Sequence, residues 1–235
     1  MVCKMTQMLH ILEQFAKEIE KSNPYHLVLK GGTALSLYYL ERHRESEDLD
    51  FDAPKHLKTH VKRIETFFAD ILSKLKDKNI IQDYRITKAE LASTERYHLK
   101  LELTTHKRFM SKIDIDFVEL PPKLLTRGKL YLYPVERIFV TKAVTFVSRK
   151  EFKDLYDIVY LLKKVDINKY KKKNNVQKLL QDVIQILQHE DVISMYKAAF
   201  RNVDLRFKDV KPTRIDMFVD DAIKKLRIAV NQLGR

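Results

Sequence analysis

The sequence predicts an α+β fold, with a sheet-bearing N-terminal part flanked by helices and a C-terminal bundle made of helices alone. Three observations lead there. Leu27–Leu29 is a short apolar run closed by a turn, and Arg96–Thr105 and Lys112–Val118 alternate apolar with polar residues, the period of half-buried strands. Met5–Lys21 and His56–Lys76 instead repeat apolar residues every three or four positions, as a helix with one buried face does. From Pro134 to the end the period is helical throughout.

The first helix uses Met8, Ile11, Leu12, Phe15 and Ile19 as its apolar face, and Asn23-Pro24 ends it. A buried strand follows and runs into Lys30-Gly31-Gly32-Thr33, a turn at which the next helix begins. Two adjacent glycines let the backbone approach a phosphate closely, because no Cβ intervenes. Thr33 is a candidate cap for that helix, whose free N–H groups favour an anion. A loop then leads to a strand in which Asp48, Asp50 and Asp52 alternate with Leu49 and Phe51. The alternation puts the acids on one face and the apolar side chains on the other. Crowded carboxylates repel unless a cation sits among them, so Asp48 and Asp50 are candidate ligands of Mg²⁺ held against phosphates at the glycine turn.

Ala53-Pro54 ends this element, and the long helix of His56–Lys76 presents Leu57, Val61, Ile64, Phe68, Ile71 and Leu75. Three strand-like segments come next, near Ile80–Lys88, Arg96–Thr105 and Lys112–Val118. The last repeats the earlier pattern, with Asp114 and Asp116 opposite Ile113, Ile115 and Phe117. If it lies beside the Asp48/Asp50 strand, one of its acids completes a three-carboxylate cluster; otherwise the acids line a solvent-facing edge.

Breaks at Pro121-Pro122 and Tyr133-Pro134 divide the chain into domains of residues 1–133 and 134–235. Pro134 suits the first position of a helix reaching about Ser148. On it Lys142 shares a face with Val135, Ile138, Phe139 and Phe146, so it either snorkels out to water or points into a site. A helix over Glu151–Leu162 follows, then helices near Val176–His189, Val192–Phe200 and Ile215–Leu233. Between them, Lys169-Tyr170-Lys171-Lys172-Lys173 is a solvated loop or a contact for a phosphate backbone.

Composition narrows the class. With 45% hydrophobic residues, four glycines and six prolines, the chain builds a core and is not disordered. Cys3 is the only cysteine, which excludes an intrachain disulfide and suits a reducing compartment. No signal-peptide run opens the chain and no apolar stretch reaches membrane-spanning length, so a cytoplasmic protein without a membrane partner is expected. The formal net charge is +13, and 22 basic against 13 acidic residues from Pro134 on carry +9 of it. That excess favours a polyanionic partner. Signature spacings of zinc, P-loop and Rossmann sites are absent.

Gly31-Gly32-Thr33-Ala34-Leu35, then Arg44, Ser46 and Asp48-Leu49-Asp50-Phe51, resemble the first motif of the AbiEii/AbiGii-type toxin nucleotidyltransferases, in the DNA polymerase β-like superfamily. Lys112-Ile113-Asp114-Ile115 resembles that family's second acidic strand, and matches it better than a start at Asp116 would. Lys142, Arg149 and Lys153-Asp154-Leu155-Tyr156-Asp157 occupy the places of its later motifs, with Lys153 where the family usually has Arg. The resemblance spans about Leu27 to Leu162.

It implies a nucleotidyltransferase-fold mixed sheet flanked by helices, followed by the helical bundle, with the site facing the cleft between them. It also implies two divalent ions, Mg²⁺ or Mn²⁺, on Asp48, Asp50 and Asp114, with Asp116 as the alternative third ligand. One ion would bind the β- and γ-phosphates, and the other would lower the pKa of an acceptor hydroxyl. Lys30, Gly31, Gly32, Thr33 and Ser46 would hold the NTP, and Lys142 its phosphates. Asp154 would orient Lys142 or act as a base. The implied activity is transfer of a nucleoside monophosphate to RNA, the 3′ end of tRNA, by a toxin with a cognate antitoxin. Other readings are transfer to a protein or small-molecule hydroxyl, and a catalytically silent nucleic-acid-binding module.

Overall fold

A computed structural model describes residues 7–171, 174–201, 207 and 209–234. It divides into two compact units, Met1–Pro134 and Val135–Arg235.

The first unit is a seven-stranded mixed sheet with helices on one face. Helix α1 (Gln7–Lys21) leads to β1 (Val28–Lys30), and α2 (Gly31–Ala34) runs on as a π-helical turn over Leu35–Tyr39. Strand β2 (Leu49–Pro54) is followed by a 3₁₀ segment, Lys55–His60, and then by α3 (Val61–Asp77). The expected long helix therefore starts later, because the first turns wind more tightly than an α-helix. Strands β3 (Asp83–Ser93), β4 (Arg96–Thr104) and β5 (Arg108–Val118) form an antiparallel meander. Two three-residue strands, β6 (Leu125–Arg127) and β7 (Leu130–Leu132), complete the order β3-β4-β5-β2-β1-β7-β6. These last two are too short to show an alternation, so the sequence carries no sign of them.

The sheet is mixed because β2 pairs with β5, and β1 with β7, in parallel. Leu49, Phe51 and Ala53 of β2 and Ile113, Ile115 and Phe117 of β5 are buried in one core with Phe15 of α1 and Phe68 of α3. Phe68 sits 5.7 Å from both Phe51 and Phe15, ring centre to ring centre. Each fully buried side chain of this size contributes about 1.5–3 kcal/mol. That core fixes which way the strands face, and it turns the alternate positions Asp50, Asp52, Asp114 and Asp116 to the opposite side.

The second unit contains α4 (Val135–Arg149), α5 (Phe152–Leu161), α6 (Asn174–Leu187), α7 (Glu190–Arg201) and α8 (Ile215–Leu233). Helix α4 packs on α5 and α6, and α8 on α6 and α7. Within the lysine-rich run, Lys172 and Lys173 lie outside the described residues. Tyr170 is buried, its hydroxyl donates to the Glu136 carbonyl at 2.8 Å and its ring lies 6.0 Å from Phe139. It is a core residue of this unit. Lys169 is ion-paired with Glu136 at 2.6 Å.

Candidate active site

The acidic face of the sheet is built by strand register. Parallel pairing of β2 with β5 sets Asp50 opposite Asp114 and Asp52 opposite Asp116. On the far side of β5, His98 of β4 is the partner of Asp114 and Arg96 the partner of Asp116. Asp48, just before β2, lies at the same end as Asp50 and Asp114. The acids therefore form two rows with different company.

The row of Asp52 and Asp116 is neutralised. Lys30 Nζ, reaching over from β1, binds Asp52 and lies 2.6 Å from Asp116. Arg96 grips the same Asp116 carboxylate with Nε and with Nη2, the latter at 2.9 Å. The Tyr133 hydroxyl donates to Asp52 at 2.5 Å. Burial works to raise the Asp116 carboxyl, but the bonds from Arg96 and Lys30 outweigh it and hold the group below the ordinary carboxylate range.

The row of Asp50 and Asp114, with Asp48, keeps different partners. His98 Nδ1 is hydrogen-bonded to Asp114. Lys112 Nζ lies 2.9 Å from Asp114 Oδ2 and 3.8 Å from Asp48 Oδ2. Burial pushes the Asp48 carboxyl up; Lys112 opposes that push, while Asp50, Asp114 and Glu47 add to it.

The glycine turn is tied to this row. Gly31 has φ +73°, and a Cβ on it would lie 2.1 Å from Asp50 Oδ2. A Cβ on Gly32 would lie 2.5 Å from Arg44 Nη2, so the guanidinium occupies the space that a side chain would need. Thr33 does not cap the helix. Lys30 holds the N-cap position without a side-chain bond, while Thr33 is buried and its hydroxyl reaches Ser46 Oγ at 2.7 Å and the Asp48 carbonyl. It joins the turn to the loop that carries the acids.

In the second unit, Lys142 is buried, with its ammonium 3.0 Å from Asp154 Oδ1 and 2.8 Å from Asp157 Oδ2. Arg149 Nη2 meets Asp154 Oδ2 at 2.9 Å. Lys142 does not snorkel, since Asp154 and Asp157, one turn apart on α5, hold it inside. Lys153 pairs with Glu151 instead, at 2.8 Å.

The structure thus brings Lys30, Gly31, Gly32, Thr33, Ser46, Asp48, Asp50, Asp114 and Asp116 together in the first unit, and Lys142 with Asp154 in the second. Sequence reasoning missed Arg96, His98 and Tyr133, whose only signal is that they stand near the acids once the strands are paired. It also missed Asp157 as a partner of Lys142, which its three-residue spacing from Asp154 could have suggested.

Among the described residues no group of three His, Cys, Asp or Glu side chains is arranged, as it stands, to hold a metal ion. The chemistry of Asp48, Asp50 and Asp114 suits one all the same. They are hard oxygen donors on one face, with the Asp48 carboxyl raised by burial and by its acidic neighbours, and an ammonium between two of them.

A mixed sheet presenting paired aspartates beside a glycine turn defines a nucleotidyltransferase-type fold. Solved structures agree. JHP933 from Helicobacter pylori superimposes with a TM-score of 0.67 at 19% identity, over 98% of this chain and 93% of that one. MenT4, a nucleotidyltransferase toxin from Mycobacterium tuberculosis H37Rv, superimposes with a TM-score of 0.52 at 13% identity, over 97% and 82%. No curated protein sequence matches the chain. The family described as nucleotidyl transferase AbiEii toxin, type IV toxin–antitoxin system, matches residues 16–225. The chain belongs to that family and is a nucleotidyltransferase. The match runs past Leu162 and takes in most of the C-terminal helices. No helix among the described residues is long and apolar enough to cross a membrane.

Proposed function

We propose that the chain moves a nucleoside monophosphate from an NTP to a hydroxyl of RNA, at the 3′ end of tRNA, as a toxin opposed by a cognate antitoxin. The observation that carries this reading is the register match of Asp50 with Asp114, with the Gly31 turn resting on the Asp50 carboxylate. Asp48, Asp50 and Asp114 are the residues that would hold Mg²⁺ or Mn²⁺, Asp114 in preference to Asp116 because it stands in register with Asp50, whereas Asp116 stands beside Asp52. Bound there, such ions would supply Lewis-acid charge to the phosphates and a more acidic acceptor hydroxyl.

The chain's own residues supply the rest. Gly31 and Gly32 let the Asp50 carboxylate and the Arg44 guanidinium close in on the turn, which sets an acid for a metal and a cation for phosphate side by side. Thr33 and Ser46 fix that turn to the acid-bearing loop. Lys30 contributes by holding β1, β2 and β5 together beneath the site. In the helical unit, residues 134–235, Lys142 and Arg149 are cations of the kind that offsets charge on a leaving pyrophosphate. Both Asp154 oxygens are engaged by them and the group is fully buried, which favours an orienting role over that of a base. The RNA acceptor is supported by the +13 charge, most of it in the second half.

The test is transfer of label from each α-³²P-NTP to total RNA with Mg²⁺, wild type beside an Asp48→Asn/Asp50→Asn variant. A labelled RNA lost in the variant supports the reading. Label that reaches only protein or small molecules, or no label from folded protein, overturns the RNA acceptor. RNA binding that does not weaken as salt rises counts against it too.

A further inference from the structure

Lys112 stands in an unusual position for a strand lysine. It lies two residues before Asp114 on β5, and its ammonium bonds Asp114 while approaching Asp48 on a different strand end. It is therefore located between two of the three carboxylates that would take a divalent cation. Two neighbouring cations of this face have other duties. Lys30 and Arg96 are bound to Asp52 and Asp116 in the next row, and Lys30 is largely enclosed there, with a side-chain exposure of 27%. Lys112 has 45% exposure and a flexible four-carbon stem. It can leave its carboxylates for water, whereas Lys30 cannot do so without abandoning two largely enclosed acids.

We propose that Lys112 is the resident counter-ion of the catalytic carboxylates, which a divalent cation displaces when it binds Asp48 and Asp114. The inference rests on the metal-site reading given above. The exchange keeps the carboxylates supplied with positive charge in both states. With Lys112 in place, the crowded acids are partly neutralised and the face is stable without metal. A divalent ion makes closer contact with the same oxygens and carries twice the charge, so the ammonium becomes redundant and is repelled. Coupling is reciprocal: metal lowers the hold of the acids on Lys112, and Lys112 lowers the apparent affinity for metal.

The experiment uses the full chain and Mn²⁺ as the probe. Free Mn²⁺ is counted by electron paramagnetic resonance during titration. In parallel, acylation of individual lysines by an N-hydroxysuccinimide ester is followed by peptide mass spectrometry, with exposed Lys62 as internal standard (81% exposed). The expected result is slow acylation of Lys112 without metal and a clear rise at saturating Mn²⁺, with Lys30 unchanged. Lys112→Met should bind Mn²⁺ up to about fivefold more tightly than wild type. Mn²⁺ bound with no rise at Lys112, or weaker Mn²⁺ binding by Lys112→Met, overturns the exchange while leaving the metal site intact. No Mn²⁺ binding by either protein overturns the metal site and the exchange together. In Asp48→Asn/Asp50→Asn, the Mn²⁺-dependent rise should vanish; a rise that persists there is non-specific and overturns the proposal.

Discussion

The Asp50 carboxylate occupies the space next to Gly31 where any other residue would carry its Cβ, 2.1 Å away from Oδ2. The glycine is needed twice over, since its φ of +73° lies in the region that side chains rarely adopt. The glycine turn and the Asp50 carboxylate are thus one packed unit.

Gly31→Ala should separate activity from stability. The left-handed backbone costs about 1–2 kcal/mol, measurable by urea unfolding. Displacing Asp50 by an ångström or so should cost about 100-fold in nucleotidyl transfer. Full activity in a variant that unfolds at lower urea would mean that Asp50 does not work from its observed position.

Asp48→Asn should stabilise the protein near neutral pH while abolishing transfer. The Asp48 carboxyl is pushed up chiefly by burial, with Lys112 opposing and the nearby acids adding to the rise. A carboxyl raised in the fold binds its proton better when folded. Its favourable contribution is therefore complete below the ordinary carboxylate range and is lost as pH rises through the raised value. Asparagine has no such loss. The melting-temperature difference between variant and wild type should be near zero at about pH 3 and open as pH rises toward neutral. A variant that melts lower than wild type at neutral pH would show that Asp48 is a net structural asset.

Lys142→Met should be costly, because it leaves Asp154 and Asp157 buried without their shared ammonium. Removing one partner of such a buried group costs about 3–5 kcal/mol. The triple variant Lys142→Met/Asp154→Asn/Asp157→Asn removes the stranded charge as well, and should recover most of that loss in urea unfolding. A Lys142→Met variant as stable as wild type would mean that the pair contributes nothing to the helical unit.

How much of this was legible in the sequence differs from residue to residue. The alternation in Leu49–Asp52 and Ile113–Phe117 announced two strands with acids on one face, because the period of two follows directly from backbone pleating. The amphipathic repeats of α1 and α3 announced helices; the Gly31-Gly32 pair was read as room for a phosphate, and in the fold Asp50 and Arg44 lie against it. The sequence left open whether Lys142 was buried, because an apolar helix face does not say which acid will meet a lysine. Thr33 looked like a cap, since Ser and Thr at a helix start usually are; its hydroxyl was instead claimed by a loop more than ten residues away.

By itself, then, the sequence determined the local geometry: which residues are strand or helix, which face of each is apolar, and that the acids share a side. Those follow from bond rotations and the avoidance of water, which act over a few residues. Only the tertiary structure decided that β2 lies parallel beside β5, so that Asp50 meets Asp114, and that Lys30 and Arg96 take Asp116 while Lys112 rests between Asp114 and Asp48. Strand neighbours and ion-pair partners are chosen by the packing of segments distant in the chain, and no local pattern records that choice.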